Sequence, residues 1–446
     1  MQIMRQVIKR NGAIVDFNPD RISNAIYRAA VSVGGRDKET ADKLAAQVVE
    51  VVEKTYTADY KIHIEEMQDI VEKVLIENGH AQVAKEYILY RNEQIKKREL
   101  NATQGTRPSE NIAWSKIWHI LDWAVSNELH NINLLNKKID EGKFGEVVDL
   151  SERLYEHDVD SAAQQLAEKS DSIKLVMITG PSSSGKTTTT YKMEERLKKK
   201  GMTFKPLVVD NYFFDLELHP KDEFGDYDFE TPQALDLDMI NEHLHQLAAG
   251  KEVSIPYYDF KEGKRHLNQS KLQLKEGEVL LIDSLHALYP KFSEGIDSSL
   301  VYKVYLEPLL QMKGPENKYV QWTDLRLIRR MLRDSVHRAY DPQQTLEHWH
   351  YVRSSELRHI IPYSNNADYI ISSGMPYEIA LYRPLLLDKF AEWEKLYKDN
   401  PLREDAYNRS SRVRKMLDAV RGVEDNSPVP KSSVLREFIG GGIYDA

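Results

Sequence analysis

The fold is decided by residues 173–187, which read IKLVMIT and then GPSSSGKT. The apolar run predicts a buried parallel strand, and the amphipathic stretch at 187–200 predicts a helix that ends at Gly201. Residues 180–187 between them fit the pattern G-x-x-x-x-G-K-[ST], which requires a strand before it and a helix after it. A glycine- and serine-rich surface loop is the alternative, but it explains neither flank. The stretch therefore predicts a phosphate-binding loop.

Each residue type in this loop has a physical role in such a site. Gly180 and Gly185 let the backbone turn, so that N–H groups and the positive helix end converge on phosphates. Lys186 would reach the β- and γ-phosphates, and the hydroxyl of Thr187 would ligate Mg²⁺. We predict that ATP is bound by Gly180, Ser182, Ser183, Ser184, Gly185, Lys186, Thr187 and Thr188.

Length and composition limit the class of protein. The 446 residues are enough for two or three domains, and 61 basic against 70 acidic residues give a net charge of −9. This balance disfavours nucleic acid as the main partner. The absence of cysteine excludes disulfides and thiolate metal sites. The charged N-terminus and the lack of a long apolar run predict a soluble, cytoplasmic protein without membrane contact.

Residues 1–100 are predicted to form a small α+β domain of a β-hairpin plus four helices. Asn11-Gly12 between two short apolar runs indicates the hairpin, and Asn18-Pro19-Asp20 indicates the start of the first helix. Residues 3–98, from VIKRNGAIVDF to IEEMQDIVEKVLIENGHAQVAKEYILYRNEQ, resemble the ATP-cone, a regulatory nucleotide-binding module of ribonucleotide reductases. The resemblance implies phosphate contacts from Lys9, Arg10 and Arg21. Without it, a Lys-Arg pair beside a hairpin is ordinarily a solvated surface feature.

The remaining chain divides into a connector and a larger domain. Residues 101–170 are predicted to be a helical connector that docks on the domain at 171–446 and carries a stripe of Trp114, Trp118 and Trp123. From 171 onward, short apolar runs alternate with helical stretches, which predicts an α/β domain with a doubly wound, mainly parallel sheet. The predicted strands, besides 173–179, are 206–210, 279–283, 301–306 and 368–372.

Two aspartates are predicted at the carboxyl ends of these strands, where ligands of such sheets bind. Asp210 could accept the proton of an attacking hydroxyl, although an aspartate at a helix or turn start is an equal alternative. Asp283 closes an apolar strand and, with Thr187, is the predicted Mg²⁺ ligand.

Three segments resemble the uridine kinase and phosphoribulokinase family, namely DNYFF at 210–214, DYDFETP at 226–232 and IPYYDF at 255–260. The resemblance implies a P-loop nucleoside kinase with Asp210 as catalytic base, Lys186 as a catalytic residue, and Glu230, Tyr212, Tyr258 and Phe260 around the acceptor. It departs from the family at Glu230, where an Asp is usual, at Asp283-Ser284, where Glu-Gly is usual, and at Gly263, where uridine kinases place a base-reading His. The resemblance extends over about 173–442, to the tail SSVLREFIGG. We interpret that tail as flexible, at most capping the fold.

Residues 324–338, DLRLIRRMLRDSVHR, place Arg326, Arg329, Arg330 and Arg333 along one stripe of a helix. Such a stripe repels itself unless anions face it, so we interpret the helix as a lid over phosphates; pairing with carboxylates elsewhere is the alternative. The segment also resembles the family's lid. That resemblance implies acceptor contact from Arg330, catalysis by Arg333 and phosphate contact from Arg333 and Arg338.

Three hypotheses follow for the whole chain. The first is an Mg²⁺-ATP-dependent kinase of a nucleoside 5′-OH, with ATP or dATP bound at the ATP-cone and acting through assembly of a homo-oligomer. The second keeps the chemistry but takes a sugar phosphate or pantothenate-like alcohol. The third is a nucleotide-sensing regulator with little catalysis, which the presence of Asp210 disfavours because a sensor has no need of a base.

Overall fold

The structure is a computed structural model that describes residues 6–8, 14–35, 37–56, 62–88, 112–220, 227, 229–337, 341–400 and 403–444. They fall into two compact units, an N-terminal one with the described residues up to 88 and a larger one with nearly all those from 112 onward. The predicted boundaries at 100 and 170 remain predictions. Within the described residues, no helix combines the length and the apolarity that a membrane span needs.

The N-terminal unit is a small sheet with helices packed around one core. Its described strands pair in the order β2-β1-β3, with β1 antiparallel to β2 and parallel to β3. The two-residue strand β3 was not predicted, whereas the hairpin strands and the helices were. The predicted Asn11-Gly12 turn lies outside the described residues. The elements are β1 (Gln6–Ile8), β2 (Ile14–Asp16), α1 (Asp20–Ser32), α2 (Lys38–Thr55), β3 (Ile62–His63), α3 (Ile64–Glu77) and a helix at 81–88, α4.

The larger unit alternates strands and helices around a parallel sheet. Three helices precede the first strand and a short helix stands near the end of the chain. The elements are α5 (Trp114–Ser126), α6 (Ile132–Asp140), α7 (Phe144–Glu168), β4 (Leu175–Thr179), α8 (Lys186–Lys199), β5 (Thr203–Val208), α9 (Leu237–Ala248), β6 (Val253–Asp259), β7 (Lys264–Leu272), β8 (Glu278–Asp283), β9 (Val301–Glu307), α10 (Trp322–His337), α11 (Pro342–His359), β10 (Tyr369–Ser372), α12 (Glu378–Tyr397), α13 (Glu404–Ala419) and α14 (Arg436–Ile439).

The main sheet confirms the predicted α/β class. Its described strands lie in the order β10-β9-β4-β8-β5, and every neighbouring pair is parallel. The strand β5 ends at Val208, so Asp210 follows the strand in a 3₁₀ turn instead of closing it, as 206–210 had predicted. Pro206 is tolerated because β5 is an edge strand, where a missing N–H need not break a ladder.

The helix α7 belongs to the same core as the sheet. Its buried face includes Tyr155, Val159 and Leu166, and the Tyr155 hydroxyl bonds Thr189 Oγ1 of α8 at 2.7 Å. A separate antiparallel hairpin, β6–β7, stands beside the sheet. The phosphate-binding loop is thus supported from behind by a helix of the segment that sequence alone left as a connector.

Candidate functional site

The loop at 180–187 turns sharply between β4 and α8, and glycine is required at both ends of the turn. A Cβ added at Gly180 would lie 2.1 Å from the carbonyl oxygen of Leu306 in β9. At Gly185, φ is +93° and a Cβ would lie 2.4 Å from Val434 Cγ2. Ser183 also has positive φ, at +59°. The backbone therefore adopts the cradle that close approach to phosphates requires.

Several polar groups of the loop point to an anionic ligand. The hydroxyl oxygens of Ser183 and Ser184 are buried and have no hydrogen-bond partner within the described part of the chain. Such buried unsatisfied groups are rare in native proteins, and a bound phosphate would satisfy them. Burial lowers the pKa of the Lys186 ammonium, while the Asp283 and Glu437 carboxylates oppose this shift. The residues present therefore fit the phosphates of ATP.

Asp283 and Asp210 lie where the carboxyl ends of three strands meet. Asp283 is in register with Ile178 of β4 on one side and Val208 of β5 on the other. Burial raises the pKa of the Asp283 carboxyl to about 6, Lys186 opposes the rise, and Glu437 and Asp210 add to it. These mutual effects bring the predicted base, the predicted metal ligand and the loop lysine into one electrostatic cluster.

Thr187, in the first turn of α8, and Asp283, at the end of β8, remain the predicted Mg²⁺ ligands. Magnesium in phosphoryl-transfer sites takes one or two protein oxygens and completes its shell with water and substrate phosphate. Within the described residues, no group of three or more His, Cys, Asp or Glu side chains could hold a metal ion by itself. A site with few protein ligands, completed by the nucleotide, is the one that these residues can supply.

Two of the four arginines on α10 do not face a ligand, which corrects the lid interpretation for them. Arg326 is fully buried, and its Nη2 donates to Glu356 Oε2 at 2.7 Å. Arg329 is fully buried as well, and its Nε donates to Glu378 Oε2 at 2.8 Å. Buried charges persist only when paired, and these pairs join α10 to α11 and α12. The alternative of carboxylate pairing is therefore the correct one for Arg326 and Arg329.

Arg330 and Arg333 are the other two described arginines of this stripe, and Arg326 itself donates from Nη1 to the Ser182 carbonyl oxygen of the loop at 3.1 Å. Arg330 Nη1 donates to Ser182 Oγ at 3.2 Å and to Glu230 Oε1 at 2.6 Å. Arg333 contacts Asp334, and its charge contributes to lowering the pKa of Lys186. Arg338 lies outside the described residues. Arg330 thus connects the predicted acceptor residue Glu230 to the phosphate-binding loop, and Arg333 is close enough to influence the loop lysine.

Aromatic rings surround Phe213 beside the β6–β7 hairpin. The Tyr258 ring is 5.6 Å from that of Phe213, and the exposed Phe260 ring is 4.9 Å from that of Tyr258. His219 and Phe229 complete the group, with ring centroids 4.7 Å apart. Tyr258 N donates to Asn211 Oδ1 at 3.3 Å, beside Asp210. The cluster is therefore tied to the segment that carries the predicted base.

Tyr212 and Gly263 are two further positions near this aromatic cluster for which the sequence made predictions. Tyr212 is fully buried, and its hydroxyl bonds His243 Nδ1 at 2.9 Å. It therefore packs inside the fold next to Phe213 of the cluster. Gly263 has φ of +65°, and a Cβ there would lie 2.9 Å from Leu216 Cβ. Leu216 occupies the room that a His side chain at 263 would need. The family's base-reading group is therefore absent for a packing reason as well as by sequence.

Sequence reasoning missed two residues that interact electrostatically with Lys186, namely His286 and Glu437. His286 is buried in the turn that follows β8, and burial lowers its pKa to about 3, so the ring is neutral. Glu437 of α14 accepts from Thr188 at the start of α8, although 249 residues separate the two. The tail is packed, with Val434, Leu435 and Phe438 buried, which corrects its interpretation as flexible. The quoted resemblance in the tail was the available signal, but no local pattern tells which element a tail contacts.

The predicted regulatory residues belong to the N-terminal unit. Arg21 is exposed in the first turn of α1. Lys9 and Arg10 lie outside the described residues. Their contacts with a nucleotide remain a prediction.

The larger unit also contains a cavity of about 490 Å³ at the carboxyl end of β9. Its wall includes Glu307 and Trp322, and the Trp322 Nε1 donates to Glu307 Oε1 at 3.0 Å. At its rim Arg412 pairs with Asp324, at 2.6 Å between Nε and Oδ2. Each charged group named here therefore already has a polar partner in the larger unit.

Comparison with known proteins finds two family profiles in the chain. The ATP cone domain matches residues 5–96, and the Phosphoribulokinase / Uridine kinase family matches residues 175–380. Both resemblances found in the sequence are thereby confirmed over these residues, and the resemblance of 381–442 stays a prediction.

Individual relatives cover the second region. A uridine kinase of Deinococcus deserti is 29% identical over 208 residues, 46% of this chain and 91% of that protein. The inorganic pyrophosphatase TTM2 of Arabidopsis thaliana is 29% identical over 185 residues, 42% of this chain but only 23% of that protein. Among solved structures, D-glycerate 3-kinase of Cryptococcus neoformans has a TM-score of 0.27 at 11% identity, and the match covers 59% of this chain and 89% of that one.

Proposed function

We propose that this chain transfers the γ-phosphoryl group of ATP to the 5′-OH of a nucleoside. Its residues 175–380 match the phosphoribulokinase and uridine kinase family and follow an ATP cone domain. One observation carries the proposal. The phosphate-binding loop, Asp283 and the turn with Asp210 meet at the carboxyl edge of one parallel sheet, through the register of β4, β8 and β5. Donor and acceptor groups can then be held in line, and positioning of this kind supplies much of the rate.

Each residue has one task in the transfer. The loop amides and Lys186 hold the β- and γ-phosphates, and Arg333 stabilises the charge of the moving group. Asp210 takes the proton from the acceptor hydroxyl while the hydroxyl oxygen forms a bond to the γ-phosphorus. The bond from that phosphorus to the β–γ bridging oxygen breaks, and ADP leaves. Thr187 and Asp283 would hold Mg²⁺, which would supply positive charge to the phosphates.

Glu230 and the aromatic cluster are the proposed acceptor contacts. Glu230 is held by Arg330, which also donates to Ser182 of the loop, so the acceptor's hydroxyls would be bound beside the γ-phosphate. Phe260 offers an exposed ring on which a base could stack, and the buried Tyr258 ring packs edge-on against it. The two sets of contacts suit a molecule with a hydroxylated part and a flat part, as a nucleoside has.

A screen of acceptors tests the proposal. Purified protein with Mg²⁺-ATP is offered the common ribonucleosides and deoxyribonucleosides, sugar phosphates and pantothenate, and ADP release is measured. We expect release above background with at least one nucleoside. Asp210→Asn is run in parallel, so that ADP from slow hydrolysis by water is not taken for transfer. If ADP were released only with a non-nucleoside acceptor, that acceptor would replace the nucleoside in the proposed reaction.

A different alcohol is the second candidate, and the surroundings of Gly263 favour it. Because position 263 is a glycine whose added Cβ would clash with Leu216, pyrimidine recognition lacks its usual group. A sugar phosphate or a pantothenate-like alcohol needs no such group. The third candidate, a nucleotide sensor with little catalysis, predicts ATP binding but no ADP release with any acceptor in the same screen.

The remaining parts of the proposal concern regulation and context. The ATP cone would bind a second nucleotide, ATP or dATP, and alter activity by changing the assembly of a homo-oligomer. We expect the protein in the cytoplasm, where ATP is abundant and a chain without cysteine needs no oxidising compartment. Sedimentation velocity with and without ATP and dATP tests the assembly step, which a constant sedimentation coefficient would contradict.

A further inference from the structure

The carboxylate of Glu437 occupies the first-turn donors of the phosphate-binding helix. Its Oε2 accepts from Thr188 N at 3.2 Å and from Thr188 Oγ1 at 3.0 Å. Both residues are buried, with 2% and 6% of Thr188 and Glu437 exposed. Amides at this end of a helix are the donors that a phosphate-binding loop offers to its ligand.

We infer that Glu437 is an internal competitor of nucleotide phosphate, a carboxylate that holds the empty loop and must leave Thr188 before a phosphate can bind there. The inference deepens the proposed function and rests on the loop being a nucleotide site. One donor pair cannot serve two anions at these distances. Two negative groups side by side at the helix end would also repel each other.

The position of Glu437 is set by the packing of the tail. Val434, Leu435 and Phe438 are buried in the core of the larger unit, and the Arg329 guanidinium lies 5.0 Å from the Phe438 ring centroid. Ser433 Oγ bonds Glu152 on α7. The backbone of α14 is therefore fixed from several sides, and the carboxylate is placed against α8 by structure that does not depend on the ion–dipole contact itself.

The Glu437 carboxylate can leave Thr188 without unfolding of the tail, because other contacts hold the tail in place. Arg436 folds the tail on itself by donating to Val429 O at 2.7 Å and to Asn426 O at 2.9 Å. Because these bonds and the buried apolar residues do not involve Glu437, rotation of its side chain would free Thr188 while the tail stays packed. Nucleotide binding then costs the carboxylate contact, and the apparent affinity is lower than the loop alone would give.

The opposing charges around the loop support this view. The negative charge of Glu437 raises the pKa of Asp283 and opposes the lowering of the pKa of Lys186. Glu437 is thus a counter-charge for the loop lysine when no phosphate is bound. A triphosphate would take over that function, since it brings negative charge to the same groups.

Calorimetric titration with Mg²⁺-ATP tests the inference in the full chain. Glu437→Gln keeps the size and packing of the side chain but removes its charge, and Glu437→Ala removes the acceptor. We expect both variants to bind ATP at the Lys186-dependent site about tenfold more tightly than the unsubstituted chain, since charged acceptors hold donors about twice as strongly as neutral ones. Matching urea midpoints would exclude altered folding of the tail.

Glu195→Gln is the matched control. Glu195 Oε2 accepts from the Tyr444 hydroxyl at 3.0 Å, so the substitution also removes a carboxylate contact between α8 and the tail, but on the exposed side of the helix. We expect its ATP affinity to be unchanged. A gain equal to that of Glu437→Gln would mean that any loosening of the tail matters, and would overturn the specific role of Glu437.

Lys186→Ala separates failure of the inference from failure of the proposed site. Loss of one ATP equivalent in Lys186→Ala, with unchanged or weaker affinity in Glu437→Gln, would overturn the inference and leave the nucleotide site intact. A weaker affinity would mean that Glu437 orients Thr188 instead of competing for it. ATP binding at full stoichiometry in Lys186→Ala would contradict the proposed nucleotide site, and the inference with it.

Discussion

At the residue scale, two aspartates one strand apart have different surroundings. Asp283 ends β8 between two neighbouring strands, whereas Asp210 follows the edge strand β5 and is exposed. A metal ligand benefits from a fixed position among strand ends. A base that accepts a proton from a bound alcohol must instead be reachable from the acceptor side.

Asp210→Asn is expected to lower kcat by roughly 10²–10⁴, because the amide cannot accept the acceptor's proton. The Kd for ATP should stay within about twofold, since the residue does not bind the donor's phosphates. Coupled ADP assays and calorimetry measure the two quantities. Asp238→Asn, an exposed aspartate at the start of α9, is the control. Normal turnover in Asp210→Asn would remove the proposed base.

Much of the candidate site could be predicted at this scale because the chemistry is written in short runs of sequence. The glycines, lysine and threonine of the loop lie within eight positions, and the two aspartates each follow an apolar run. Glu437 and His286 could not be predicted in this way. Their relevance comes from tertiary contacts across long stretches of chain, which neither periodicity nor local pattern encodes.

At the element scale, α10 carries arginines with different surroundings on one stripe. Helical spacing could not separate them, since Glu356 and Glu378 lie 30 and 49 residues further along the chain. Arg326 and Arg329 are buried in pairs with carboxylates of α11 and α12, while Arg330 pairs with the predicted acceptor residue Glu230. The sequence predicted the helix and its charged stripe correctly and left carboxylate pairing open as an alternative, but it could not tell which arginines are paired in that way.

A pair of substitutions on α10 should separate these roles. Arg329→Met leaves Glu378 buried without its charge partner and should lower the free energy of unfolding by about 3–5 kcal/mol. Arg333→Met should change it by only about 1 kcal/mol but lower kcat by roughly 10²–10³ through lost stabilisation of the transferring group. Urea unfolding and turnover assays measure both. Equal effects of the two variants on stability would contradict the division.

The turn of the β6–β7 hairpin offers a second comparison. Gly263 and Gly277 both have positive φ, at +65° and +80°, but only Gly263 has a neighbour in the way, Leu216. Alanine at either position should destabilise by about 1 kcal/mol through backbone strain. Gly263→Ala should cost about 1–3 kcal/mol more, from the clash with Leu216. Equal urea midpoints of the two variants would show that Leu216 gives way.

At the scale of the whole molecule, the chain carries two nucleotide-binding motifs in two compact units. We expect two ATP equivalents per chain in equilibrium dialysis. Lys9→Ala combined with Arg10→Ala should remove one, and Lys186→Ala the other, because each set supplies the positive charge of one site. Wild-type stoichiometry in the Lys9 and Arg10 double variant would disprove the second site.

The packing of the C-terminal tail against the phosphate-binding loop has a practical consequence for work with shortened versions of the protein. The family match at 175–380 stops before Val434, Glu437 and Phe438, and begins after Tyr155, which bonds Thr189 behind the loop. A fragment cut at those limits would lose apolar partners on both sides of the loop helix and expose them to water. The smallest piece that can be expected to fold and bind nucleotide is therefore set by the packing around α8, and reaches from α7 to α14.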